Sequence, residues 1–103
     1  MLNQVILCGR LVENPTLNEN EENKKLCEIK VAVSRSFKNE EGIYETDIIP
    51  CILWNSIAEK TIEYCRKGDV IGIKGRFQMI NDKLQVIADK ITFLSARKEE
   101  SEK

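Results

Sequence analysis

Five separate runs of this chain alternate apolar with polar residues, and a single stretch between the third and fourth runs switches to helical spacing. Period-two alternation puts successive side chains on opposite sides of a strand, so each run can bury one face and leave the other in water. The first run, Leu2 to Leu11, sets Val5, Leu7, Gly9 and Leu11 on one face and Gln4, Ile6, Cys8 and Arg10 on the other. Glu13 to Lys25 is polar, holds Pro15 and several asparagines, and reads as a loop. Alternation returns from Leu26 to Ser34, with Cys27, Ile29, Val31 and Val33 inward. Asn39-Glu40-Glu41-Gly42 reads as a hairpin turn into a third strand, Ile43 to Trp54.

The helical stretch follows. Asn55 or Ser56 can cap it, Ser56-x-x-Glu59 has the spacing of a capping box, and Gly68 supplies a stop. Ile57, Ala58, Thr61, Ile62 and Cys65 form one stripe that can pack on a sheet. In the fourth strand, Val70 to Met79, the inward set is Ile71, Ile73, Gly75, Phe77 and Met79, with Lys74 and Arg76 opposite. Asn81-Asp82 turns the chain into a fifth strand, Leu84 to Leu94, with Ile87, Ile91 and Phe93 inward. The order β-β-β-α-β-β is that of the OB-fold, an all-β barrel of five strands with one helix. Periodicity alone leaves other small barrels open, and it leaves the function open.

A chain of 103 residues makes one small domain, here residues 1–95, followed by a charged tail, 96–103, expected to fray. A core this small gains from self-association. The N-terminus lacks the basic start of a signal peptide and no apolar run approaches membrane length, so no membrane is expected and the cytoplasm is the default. The net charge of −1 works against phosphate binding, which needs a local basic surface. The charges are uneven, however: carboxylates gather between Glu13 and Glu22 and in the tail, while Lys30, Arg35, Lys38, Lys74 and Arg76 lie between.

Catalytic chemistry finds little footing. There is no histidine, which excludes zinc sites that need imidazole, and the carboxylates cluster in loops rather than in pairs fit for acid–base work. Gly72-Ile73-Lys74-Gly75-Arg76 is strand-like and lacks the lysine–hydroxyl ending of a phosphate-binding loop. Cys8, Cys27, Cys51 and Cys65 contain no C-x-x-C pair and sit beside apolar residues, as buried reduced thiols do. Neither an enzyme, a cofactor nor a metal is expected.

The third strand carries the sharpest signal. Ile48-Ile49-Pro50-Cys51-Ile52-Leu53-Trp54 is apolar on both faces. If Ile49, Cys51 and Leu53 fill the barrel, Ile48, Pro50, Ile52 and Trp54 point outward. Such a stripe is either a platform on which bases stack or a surface covered by the helix or a partner subunit. Phe37, between Arg35 and Lys38 at a hairpin tip, suits a clamp in which cations hold phosphates and the ring stacks; the alternative tucks it under the turn. Phe37 and Arg35 share the inward phase of Ile29, Val31 and Val33, so a bulge or twist near Ser34 to Ser36 is needed to turn them out. Tyr44 either extends that surface or pairs across strands. Lys30, Lys74 and Arg76 are outward-phase candidates for phosphate contact, as is Arg10 after Gly9, although scattered surface bases are also ordinary.

Several segments in order resemble the bacterial single-stranded DNA-binding proteins. Met1 to Leu11 followed by Asn14-Pro15 looks like their opening, and Val31 to Asn39 is similar to their second strand and turn. Glu45 to Trp54 matches their third strand, Ala58-Glu59 with Tyr64-x-x-Lys67-Gly68 their helix, and Ile73-Lys74-Gly75-Arg76 their fourth strand. The resemblance runs from Met1 to about Leu94. It implies an OB barrel, usually a homotetramer with a dimer as the alternative, that wraps single strands without sequence preference in replication, recombination or repair. Phe37 and Trp54 match two of the family's stacking positions. At Ile48 the family normally has an aromatic ring. The resemblance also implies a longer hairpin between the last two strands, with a further aromatic and several bases; the tight turn at Asn81-Asp82 is expected to remove that contribution. The family's acidic C-terminal tip, which recruits replication and repair enzymes, has no counterpart at Ser101-Glu102-Lys103, so such recruitment is not expected. The alternative function is an OB-fold adaptor of primosome or mobile-element type that binds protein through the Ile48–Trp54 stripe.

Overall fold

The computed structural model describes residues 1–19 and 24–95; the expected tail, 96–103, lies outside the described residues. Six strands and one helix follow in the order β1 (Val5–Leu11), β2 (Asn18–Glu19), β3 (Lys25–Lys38), β4 (Tyr44–Trp54), α1 (Asn55–Tyr64), β5 (Val70–Ile80) and β6 (Lys83–Phe93). The two-residue β2 lies within the stretch expected to be all loop, where Asn18 and Glu19 pair with Leu26 and Lys25. The other five strands close a barrel. Strand β1 pairs with β5, β5 with β6, β6 with β4, β4 with β3, and β3 returns to β1 through Arg10–Ala32 and Leu11–Val31. All these pairings are antiparallel except β4–β6, which is parallel at Cys51–Val86 and Ile52–Ile87. This is the expected five-stranded OB arrangement.

The barrel interior is filled by the inward alternates: Val5 and Leu11 of β1, Cys27, Ile29 and Val31 of β3, Cys51 and Leu53 of β4, Ile71 and Ile73 of β5, and Val86 and Ala88 of β6. Helix α1 seals one end with Ala58, Thr61 and, just past its end, Cys65, all buried. The Thr61 hydroxyl, the one polar side chain among these, donates to the Ile57 carbonyl at 2.8 Å and so enters the core satisfied. Closure draws two strand pairs unusually close. A Cβ on Gly9 would lie 2.3 Å from the Ala32 carbonyl oxygen, and one on Gly75 only 2.0 Å from that of Ile87. Both positions admit no side chain.

The capping box does not form. The helix leaves β4 directly, with Trp54 in extended geometry at the cap position and no side-chain cap bond, so Ser56 is already inside the helix. Glu59 instead pairs with Lys25 of β3. At the other end the helix stops at Tyr64, ahead of Gly68. The Arg66 guanidinium donates to the Ile62 and Cys65 carbonyls, each at 2.8 Å, which satisfies the last turn. Gly68, at a φ of 92°, serves the next turn, where its N–H donates to the Leu11 carbonyl at 2.8 Å.

Four inward assignments in the last strands, Phe77, Met79, Ile87 and Phe93, need correction. Between Lys74 and Gly75 the β5–β6 register slips: Lys74 faces Lys90 and Gly75 faces Ala88, which leaves Asp89 as an extra residue on β6. The bulge reverses the alternation of β6, so Val86 and Ala88 point inward and Ile87 points outward, where it is buried beside Ile52. Beyond Gly75, β5 has no ladder to β1, and β5 and β6 run on as a two-stranded arm to Ile80–Lys83. Phe77 and Met79 lie on this arm and are exposed rather than inward. Phe93 also misses the interior; its ring lies against Tyr64 of the helix, centroids 5.7 Å apart.

Candidate nucleic-acid interface

Cross-strand partners point to the same side of a sheet, so the register places the candidate residues. On the outer face, Ile48 of β4 lies beside Ala32 of β3, which in turn lies beside Arg10 of β1. Pro50 lies beside Lys30, Ile52 beside Glu28, and Trp54 beside Leu26. Across the parallel pairing the row continues from Ile52 to Ile87 and then to Arg76. Arg10, Lys30, Ile48, Trp54 and Arg76 therefore share one continuous flank of the barrel. Ile48 is 51% exposed, Trp54 is half-buried, and Ile52 is nearly covered by its neighbours. The stripe thus divides into an open end at Ile48 and a better packed end toward the helix.

Phe37 stands clear of the barrel. The β3–β4 pairing is regular to Ser34–Thr46 and resumes at Lys38–Tyr44, so β3 takes four steps where β4 takes two. That irregularity, anticipated from the phase of the alternation, turns Phe37 out to 72% exposure. Tyr44 is also exposed, and the Lys38 ammonium lies 5.7 Å from its ring centroid, within cation–π range. The hairpin tip is organised by Asn39, whose Oδ1 accepts from the N–H groups of Glu41 at 2.9 Å and Ile43 at 3.0 Å.

Not every candidate base is equally placed. Arg35 is gripped by carboxylates: Nε donates to Asp47 Oδ2 at 3.0 Å, Nη2 to Asp47 Oδ1 at 2.9 Å, and Nη1 to Glu45 Oε1 at 2.7 Å. The hydrogen-bonded Arg35 guanidinium holds the Asp47 carboxyl below its ordinary value, and the same bonds raise Arg35. Arg76 is paired with Asp89, the bulge residue. Arg10 donates to the Gly68 carbonyl at 2.9 Å. Lys74 is not brought together with the others. It borders, beside its cross-strand partner Lys90, a separate apolar groove between β1, β5 and β6 lined by Ile6, Cys8, Gly72, Thr92 and Leu94.

Residue-level reading missed two features of this surface. One is Phe77, 45% exposed on the β5–β6 arm with Met79 and Leu84, although the turn at Asn81-Asp82 was expected to leave that hairpin without an aromatic contribution. The signal available was the two-residue turn itself, which forces strict pairing to Ile80–Lys83 and so lengthens the arm. The other is the pair Glu45 and Asp47, whose alternation on β4 puts both on the side of Arg35. Among the described residues no cluster of histidine, cysteine or carboxylate side chains has metal-binding geometry. Among the described residues no helix is long and apolar enough to cross a membrane. Burial pushes the Cys51 thiol up to about 12 and raises Cys27 as well, so both are protonated, inert core residues.

Known proteins are similar in sequence to this chain over nearly its whole length. Single-stranded DNA-binding protein B of Bacillus subtilis is 36% identical over 109 residues, covering 97% of this chain and 96% of its own length. Single-stranded DNA-binding protein 1 of Lactococcus lactis is 36% identical, covering 95% of this chain and 71% of its own. The corresponding protein of Oceanobacillus iheyensis is 35% identical over 94% of this chain and 66% of its own. The profile of the single-strand binding protein family matches residues 2–94, the entire barrel with its helix and both arms, and this chain belongs to that family.

Proposed function

We propose that this chain binds single-stranded DNA without sequence preference, through stacking of bases on Phe37 and Trp54 and contacts of Lys30, Lys38 and Arg10 with phosphates. The observation that carries the reading is Phe37, 72% exposed beyond the end of a strand pair whose outer face continues through Ile48 and Pro50 to Trp54. An exposed ring flanked by cations offers a base a flat face to stack on while the cations hold its phosphate. Lys30 beside Pro50 and Lys38 above Tyr44 supply cations along the same track. Ile48 adds apolar contact without a π-face. Binding protects the strand during replication, recombination or repair and involves no catalysis.

The chain assembles with copies of itself, a tetramer ahead of a dimer. This is supported by the apolar groove of Ile6, Cys8, Gly72 and Leu94, bordered by the neighbouring pair Lys74 and Lys90, and by a core too small to spare stabilising area. Its place is the cytoplasm, in keeping with Cys8, Cys27 and Cys51 standing as thiols.

Titration with oligo-dT tests the function. Fluorescence of Trp54, the one tryptophan in the chain, should be quenched on binding, with affinity falling as salt rises. Trp54→Ala and Phe37→Ala should each weaken binding. No quenching, together with a protein partner held through Ile48 and Trp54, would instead make the chain an adaptor. Sedimentation of the free protein decides between tetramer, dimer and monomer.

A further inference from the structure

The grip on Arg35 has a consequence for the surface on which it sits. One guanidinium faces two carboxylates, so the base of the Phe37 arm carries a net negative charge although it holds one of the chain's few outward arginines. Glu45 is fixed from the other side as well, because Asn39 Nδ2 donates to its Oε2 at 3.0 Å. Asn39 in turn holds the hairpin tip. The hollow enclosed by Arg35, Phe37, Lys38, Asn39 and Glu45 measures only about 30 Å³. That is room for one or two waters. Yet its walls are an arginine, a lysine and a ring, the combination that holds a nucleotide. What fills the place of the anion is the Glu45 carboxylate.

We propose that Glu45 and Asp47 act as an intramolecular competitor for DNA phosphate: they close Arg35 into a clamp that a strand must open before that arginine makes a backbone contact. The proposal rests on the single-strand-binding reading above. All three side chains are about half exposed, so each ion pair is individually weak and exchangeable. A bidentate arginine–carboxylate pair has the same fork geometry as an arginine–phosphate pair, so the exchange replaces like with like. The clamp makes the phosphate contact conditional. Isolated or weakly held phosphates do not displace the carboxylates, whereas a strand already stacked on Phe37 presents its phosphate at high local concentration.

The test is a double-mutant comparison of oligo-dT binding as a function of salt. The Glu45→Gln, Asp47→Asn pair is made in the wild-type chain and in an Arg35→Met chain, with far-UV circular dichroism and thermal midpoints to show that each variant is folded. Arg35→Gln replaces Arg35→Met if the latter does not fold. With Arg35 present, removing the carboxylates should tighten binding roughly two- to fivefold at low salt, the range set by exposed ion pairs. It should also steepen the log–log salt dependence by up to about 0.7, the single-strand increment for one phosphate contact. The carboxylates that a strand displaces in the wild-type chain take up cations and offset the release from that phosphate. In the Arg35→Met background the steepening should vanish. The same steepening in both backgrounds would overturn the clamp, since loss of general repulsion would then explain it. Unchanged or weaker binding by the folded double variant would overturn it too, because the carboxylates would then serve only to position the arm. If the wild-type chain does not bind oligo-dT, the single-strand reading itself fails and the clamp with it; if it binds and only the slopes disagree, the clamp alone is lost.

Discussion

The two hairpin arms that leave the barrel share a backbone plan and differ in nearly everything that their side chains do. The β3–β4 arm ends in a turn organised by Asn39, is crossed by the Arg35–Glu45–Asp47 network, and presents Phe37 and Tyr44 among charges. The β5–β6 arm ends at Asn81 and Asp82, both with left-handed φ near 52° and 65°, and presents Phe77, Met79 and Leu84 with few charges around them. Its root is tied to the barrel by Asn3, whose side chain donates to the Phe77 carbonyl and accepts from its N–H, both at 2.9 Å, as a strand neighbour would. Both arms expose an aromatic ring, so exposure alone does not tell them apart. What separates the two is the company of the ring: cations and carboxylates beside Phe37, thioether and aliphatic groups near Phe77.

The largest expected effect strikes the root of the apolar arm. Gly75→Ala places a methyl group where the Ile87 carbonyl already stands, so the arm must detach or the barrel must open. A loss of about 3 kcal/mol or more in urea unfolding is expected, at the upper end for overpacking. A loss of less than about 1 kcal/mol would mean that the arm swings freely. Next comes the contrast between the rings. Phe37→Ala should weaken oligo-dT binding by about 1–3 kcal/mol, roughly ten- to hundredfold. Phe77→Ala, measured side by side, should change it by no more than about threefold; equal losses would erase the functional difference between the arms.

Smaller effects probe the turns. Asn39→Ala removes the acceptor of two backbone N–H groups and should cost about 1 kcal/mol of stability. Asp82→Gly should do the opposite at the other tip and stabilise by about 0.5 kcal/mol, because glycine adopts the left-handed conformation without strain. A pH series gives the smallest signal. Asp47 has its carboxyl held low in the folded chain by Arg35, so its pairing stabilises the β3–β4 arm above the usual carboxylate range and is lost as pH falls through the depressed value. Amide exchange at Phe37 and Lys38, compared with Phe77 and Gln78 under conditions corrected for intrinsic rates, should show acid loosening confined to the first arm.

Much of the interface could be read along the chain because it depends on local alternation. The outward phases of Lys30, Ile48 and Trp54 follow from a period of two over an unbroken stretch of pairing, and the register from Leu26–Trp54 to Ser34–Thr46 contains no slip. Phe37 was legible for a different reason: its phase conflicted with its chemistry, and a bulge or twist of the strand resolves such a conflict. Lys74 shows the limit of this reasoning. It has the same outward phase as Arg76, yet in a closed barrel the outside has several flanks, and β5 carries Lys74 toward the β1 groove.

Period and punctuation determined the order of the five barrel strands, the place of the helix and most of the core, because these depend on residues adjacent in the chain; the short β2 was not among them. Tertiary structure decided the rest. Barrel closure pressed β5 onto β6 at Gly75, expelled Asp89 as a bulge and thereby reversed the faces of β6, so that Ile87 went outside and Phe77 was freed into an arm. It also decided which arginines are engaged: Arg35 and Arg76 meet carboxylates 12 and 13 positions away. A strand's alternation fixes which way a side chain points, but only the closed sheet fixes what waits there.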